Sequence, residues 1–132
     1  MRTAILTAAR SPVTAIERVA RGLEWADADF VAKALGVSLE RFAELTGIPS
    51  STFFRRQEQD RFSVNESEHI MRFARLWDVA SEVFPSGKAA RSWLSRSQYG
   101  LEGAIPLNYA KTELGARVVE DLMMRIHHGV LA

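Results

Sequence analysis

Residues 63–84 read Ser63-Val64-Asn65-Glu66-Ser67-Glu68-His69-Ile70-Met71-Arg72-Phe73-Ala74-Arg75-Leu76-Trp77-Asp78-Val79-Ala80-Ser81-Glu82-Val83-Phe84, and this stretch decides the fold class. Ser63 and Glu66 make a capping box. The serine oxygen accepts from the amide three residues on while the glutamate reaches back to the serine's own amide, so two orphan donors are satisfied together. Behind that start Ile70, Phe73, Ala74, Trp77, Ala80 and Phe84 recur at helical spacing, and Met71, Val79 and Val83 widen the apolar surface beyond one face. A stripe that wide needs more than one neighbour, which predicts a homodimer.

Helical signals continue in both directions. Downstream, Pro85-Ser86-Gly87 breaks the chain and Ser86 caps a shorter helix carrying Ala89, Ala90, Trp93 and Leu94. Upstream, Ser11-Pro12 is a cap followed by proline at the first helical position, opening a run that ends near Gly22. Asp27 or Asp29 can open a helix with Phe30, Val31 and Leu35, stopped at Gly36, and Ser38 caps the next one. No alternating strand pattern, repeat or low-complexity tract interrupts the series. The expected fold is all-α, divided into residues 1–62 and 63–132.

Residues 39–58 have helix-turn-helix anatomy. Ala43 sits where two helices must approach closely, Gly47 allows the turn, and Ile48 and Phe53 are inward anchors. The second helix then starts near Pro49, with Ser50, Ser51, Thr52, Arg55 and Arg56 facing outward, where hydroxyls and guanidinium groups meet phosphates and base edges. Glu58 and Asp60 follow at once and weaken the local field, and such units also serve as plain packing motifs. In the last third, Pro106 stops what precedes it and Asn108 or Thr112 can cap a helix whose stripe is Val118, Val119, Leu122 and Ile126. Gly115 on that stripe implies a close helix–helix approach, because glycine inside a helix otherwise costs about 1 kcal/mol relative to alanine. Asp121 and Arg125 stand four apart in the favourable order, and Gly129 can end the helix with His127 and His128 near its negative end.

Composition narrows the function classes. The 132 residues make one domain or a small pair, able to bury roughly two-thirds of their surface. With no cysteine there is neither a disulfide framework nor a thiolate metal site, so a reducing cytoplasmic location is expected. The apolar run from Ala4 to Ala9 is interrupted by Arg10, too short for a membrane span or a signal-peptide core. The net charge is +1 and no third of the chain carries a larger basic surplus, so any DNA affinity must be local, dimeric or partner-assisted. Adjacent His127 and His128 point about 100° apart on a helix and do not chelate together. His69 lacks a second histidine at ligand spacing, no serine sits in a nucleophile elbow, and Gly100 and Gly103 are misplaced for a phosphate loop. No enzymatic activity and no cofactor is expected. Trp25, Trp77 and Trp93 fit a core, whereas Tyr99 and Tyr109 fit core or interface equally.

The carboxyl-terminal third resembles the toxin-binding domain of the Xre/MbcA/ParS family of bacterial antitoxins. The resemblance is carried by Pro106-Leu107, Thr112-Glu113, Gly115-Ala116, Val119-Glu120-Asp121-Leu122, Arg125-Ile126, Gly129-Val130 and Ala132. Gly47-Ile48-Pro49, Thr52 and Arg55-Arg56, followed by Ser63-Val64-Asn65-Glu66-Ser67-Glu68, resemble the Xre-type helix-turn-helix of the same family. Ser97-Gln98-Tyr99-Gly100, Asn108-Tyr109-Ala110 and His127-His128 depart from its usual phrases, and such departures tune which toxin is bound.

The resemblance implies an antitoxin that neutralises a cognate RES-domain toxin, an enzyme that consumes NAD⁺ or uses it to ADP-ribosylate targets. It also implies repression of the shared operon by a dimer on operator DNA. Implied toxin-binding residues are Glu113, Arg117, Glu120, Asp121, Arg125, Gly129, Val130, Leu131 and Ala132, the last three expected to cover the toxin's NAD⁺ pocket. The alternative is a helix-turn-helix regulator with a carboxyl-terminal dimerisation domain and no toxin.

Overall fold

Four phenylalanines and a tryptophan organise the first part of the chain. In the computed structural model, which describes residues 3–129, the rings of Trp25 and Phe53 lie 5.1 Å apart, Phe53 and Phe62 5.6 Å, Phe42 and Phe53 6.3 Å, and Phe42 and Phe73 5.9 Å. Offset and edge-on contacts at these distances add to the burial of each ring. The helices that deliver them are α1 (Thr3–Ala9), α2 (Pro12–Arg21), α3 (Trp25–Leu35), α4 (Leu39–Thr46), α5 (Ser50–Gln59) and α6 (Val64–Val83). Then follow α7 (Gly87–Ser95), a short 3₁₀ turn (Tyr99–Leu101), α8 (Pro106–Tyr109) and α9 (Glu113–His127). No strand occurs among the described residues, and the fold is all-α. The chain divides into two compact units, Met1–Arg75 and Leu76–Ala132, with the boundary inside α6.

The capping signals act where the sequence puts them. The oxygens of Ser11, Ser38, Ser86 and Thr112 accept from the amides of Thr14, Arg41, Ala89 and Gly115 respectively. Ser63 accepts from the Glu66 amide at 3.2 Å, and the Ser63 amide donates to Glu66 at 2.9 Å, closing the predicted box. Two starts differ from expectation. The helix assigned to Asp27 or Asp29 begins at Trp25, because Glu24 and Asp27 cap each other reciprocally and Arg18 donates to buried Asp27 at 3.0 Å. Pro106, read as a stop, is also the first residue of the one-turn α8. The run read as a short apolar stretch, Ala4 to Ala9, lies in α1.

In the first unit the link between α2 and α3 is stitched to the link between α5 and α6. The Phe62 amide donates to the Leu23 carbonyl at 2.9 Å, the Leu23 amide to the buried Ser67 hydroxyl at 2.8 Å, and the Trp25 amide to Asp60 at 3.1 Å. Gly22 makes this possible. Its φ is +87° and a Cβ there would lie 2.5 Å from the Phe62 carbonyl oxygen.

In the second unit Phe84 packs on Trp93 at 5.4 Å and the Arg91 guanidinium lies over Trp77 at 5.9 Å. Along the α6 stripe Ile70, Met71, Phe73, Ala74, Leu76, Trp77 and Ala80 are buried, while Val79, Val83 and Phe84 are half-buried. On α9 the buried set is Gly115, Ala116, Val119, Leu122 and Met123, so the expected stripe is rotated. Val118 and Ile126 are 41% and 42% exposed. Gly115 lies on the buried side, its Cα facing the Tyr109 carbonyl oxygen so closely that any Cβ would overlap it.

Gly115→Ala should therefore destabilise the protein by at least about 2 kcal/mol, the scale of overpacking a tight core. Chemical denaturation measures it. A change near zero would mean that α8 gives way freely.

Candidate functional site

The helix-turn-helix is built as its sequence requires. α4 ends at Gly47, whose φ of +74° lets its amide and that of Ile48 bond back to the last turn, the Ile48 amide reaching the Ala43 carbonyl at 3.1 Å. Ala43, Ile48 and Phe53 are buried as expected. Along α5, Ser50, Ser51 and Arg55 are exposed and Thr52 is half-buried. Glu58 shares the exposed side with Ser51 and Arg55, at i, i+4 and i+7.

Arg56 is placed differently from the outward position read in the sequence. Its guanidinium grips Glu66 with two bonds of 2.9 Å and also donates to Gln59. The two side chains are only 19% and 13% exposed. A parallel fork of this kind is strong and directional. The pairing raises the Arg56 pKa further above its ordinary value. For Glu66, burial pushes the carboxyl up, but the bonds from Arg56 and the Ser63 amide outweigh it and hold the pKa below the usual carboxylate range. Other cations of this unit are similarly engaged: Arg18 with Asp27, Lys33 with Asp29, Arg41 with Glu44, and Arg61 with the Gly22 carbonyl. Arg55 is the exposed cation of α5.

The second unit presents a mixed charged and apolar surface on α9. Arg117, Asp121 and Arg125 recur every four residues and are exposed, flanked by Leu114 at 78% exposure and by Val118. Glu113 is half-buried and pairs with Arg117 at 3.4 Å. Glu120 lies off this face, with one carboxylate oxygen buried. Asp121, Met124, Arg125 and His128 line a shallow groove. Gly129 adopts φ +74° at the helix end, as expected. Val130, Leu131 and Ala132 lie outside the described residues.

Arg125 also borders a second groove, with Ser97, Tyr99, Gly100, Glu102 and Gly103. Sequence reasoning left Tyr99 between core and interface; it is 96% exposed. Leu114 was missed altogether, since a single apolar residue beside a helix cap carries no periodic signal. Among the described residues no cluster of histidine and carboxylate side chains could hold a metal ion, and no helix is long and apolar enough to cross a membrane.

A helix-turn-helix unit followed by a helical unit that displays a mixed apolar and charged helix defines a two-part helix-turn-helix protein. Residues 14–75 match the antitoxin Xre-like helix-turn-helix domain, and residues 80–129 match the antitoxin Xre/MbcA/ParS C-terminal toxin-binding domain. The chain belongs to the Xre/MbcA/ParS antitoxin family.

It is similar to a protein named Antitoxin Xre from Yersinia enterocolitica, 43% identical over 89 residues, covering 66% of this chain and 60% of that protein. A second Antitoxin Xre, from Photorhabdus laumondii, is 34% identical over 67% of this chain and 61% of its own length. A third, from Pseudomonas putida, is 31% identical over 62% and 52%. The matched region thus spans about three-fifths or less of these relatives' own length.

The arginine geometry separates two roles. Arg56→Ala should cost about 2 kcal/mol of stability by orphaning Glu66, whereas Arg55→Ala should leave stability within about 0.5 kcal/mol. Denaturant titration of the two variants distinguishes them. Glu66 also imposes a pH dependence. Because its folded pKa is lowered, its contribution is full above the unfolded carboxylate value near 4.3 and is lost as pH falls through the lower folded value. Glu66→Gln should flatten the acid limb of a stability–pH curve, and an unchanged limb would assign it to other carboxylates.

Proposed function

We propose that this chain is an antitoxin that binds and neutralises a RES-domain toxin through its second unit and represses its own operon through α5. The observation that carries the reading is the order of two matched domains on the chain, the second described as toxin-binding. The exposed face of α9 supports it. A helix that offers Leu114 and Val118 between Arg117, Asp121 and Arg125 combines apolar contact with charge that selects a partner. The chemistry belongs to the toxin, and this chain acts by occlusion, with contacts that continue into Val130, Leu131 and Ala132 over the NAD⁺ pocket.

On operator DNA, Ser50, Ser51, Thr52 and Arg55 make the contacts and Arg56 supports them through Glu66. A homodimer supplies the second half-site. Its apolar contact comes from side chains left exposed, such as Val118 and Ile126.

The decisive experiment co-expresses this chain with a cognate RES-domain toxin. Growth and cellular NAD⁺ should be restored by the full chain and lost again on deleting residues 130–132. Persistent NAD⁺ loss with the full chain would refute neutralisation, and full rescue by the truncation would confine the contact to α9 and its surroundings. In gel retardation Arg55→Ala should weaken operator binding about tenfold or more, with a shallow salt slope. Equal retardation would move the DNA contact off α5.

A further inference from the structure

The loop from Ser97 to Ala104 holds an aromatic side chain out in water on a rigid, strained support. The Gln98 amide donates to the Ala104 carbonyl at 3.0 Å, the Gly103 amide to the Gln98 carbonyl at 2.9 Å, and the Ser97 hydroxyl to the Gly103 carbonyl at 2.7 Å. The Gln98 side-chain amide donates to the Trp93 carbonyl at 2.9 Å, tying the loop to the end of α7. Leu101 is buried beneath it as a plug. The turn is completed by Glu102 at φ +55° and Gly103 at φ +88°. A non-glycine residue in that region costs on the order of 1 kcal/mol and persists only where its surroundings over-determine it. All of this leaves Tyr99 96% exposed.

A tyrosine offers a large amphipathic surface with few rotatable bonds, so one held ready on a closed loop loses little entropy on docking. Arg125 of α9 lines the same groove as Tyr99 and Glu102, which puts a cation and an anion beside the ring. The groove is therefore continuous with the α9 face and lies within the segment matched to a toxin-binding domain.

We propose that Tyr99 is a binding anchor of this chain, its ring entering an apolar pocket on the toxin while Arg125 and Glu102 meet opposite charges at the pocket's rim. The proposal rests on the antitoxin reading and adds to it a residue that determines which toxin is accepted. It places a rigid contact at the loop, independent of residues 130–132. Wrong toxins are excluded by the absence of a pocket or by like charge at its rim.

The test uses the full chain and a cognate RES-domain toxin, with affinity measured by calorimetry. Tyr99→Ala should weaken binding about thirtyfold or more, the loss typical of an aromatic hot spot. Its thermal midpoint should stay unchanged, because the side chain has almost no intramolecular contacts to lose. Tyr99→Lys, which keeps a long side chain but removes the ring, should fail in the same way, and Arg125→Glu should cost about tenfold. Wild-type affinity in Tyr99→Ala and Tyr99→Lys, with wild-type binding intact, would overturn the anchor and leave the antitoxin reading standing. No binding by the wild-type chain would overturn both. If Tyr99→Ala instead abolished self-association in light scattering or operator retardation, with toxin affinity unchanged, the loop would belong to a second copy or to DNA and the proposal would fall.

Discussion

The carboxylate of Glu66 is the point on which the first unit depends. It closes the start of α6 by accepting from the Ser63 amide, and it receives both arms of the Arg56 fork from α5. One side chain thereby fixes the orientation of the outward helix of the helix-turn-helix against the long helix behind it. Desolvating a charge is expensive unless its lone pairs are matched, and here three donors meet the two oxygens. The lowered pKa of Glu66 expresses the same balance. The arrangement also decides a division of labour between neighbours: Arg56 holds α5 in place, and Arg55 is left to face whatever α5 meets.

The second unit depends on a steric constraint instead. Gly115 lets the start of α9 touch the Tyr109 carbonyl, where any Cβ would overlap it. Along the same helix Ala116, Val119 and Met123 are buried, while Leu114, Val118 and Arg125 are exposed. At that point of contact the fit is set by a missing methyl group rather than by a flexible side chain.

Much of the fold was legible because its signals are local. Ser11, Ser38, Ser63, Ser86 and Thr112 each act within three residues of the amide they cap, and such spacings are written in the chain. The start of α3 was displaced because glutamate is a weak cap signal, and Glu24 succeeds only with Asp27 answering it. The rotation of α9 was illegible for a different reason: stripes through Val118 or through Ala116 both keep helical periodicity, and periodicity alone does not choose between them. Arg56 was read as outward because its partner is ten residues away across a turn, a separation to which no periodic rule applies. Tyr99 was undecided for the same reason, since its exposure comes from a loop closed by residues on both sides of it. The family, by contrast, could be read directly from the chemistry-poor but densely patterned carboxyl end.

The paired cations of the first unit bear on how such a molecule is shared among its partners. Nonspecific attraction to duplex DNA grows with each phosphate a protein neutralises and with each counterion set free. A surface on which Arg18, Lys33, Arg41 and Arg56 are already matched by carboxylates gains little from random sequence. A phosphate that approaches any of these four side chains must compete with a carboxylate already in place, so each such contact returns less free energy than one to an unpaired cation.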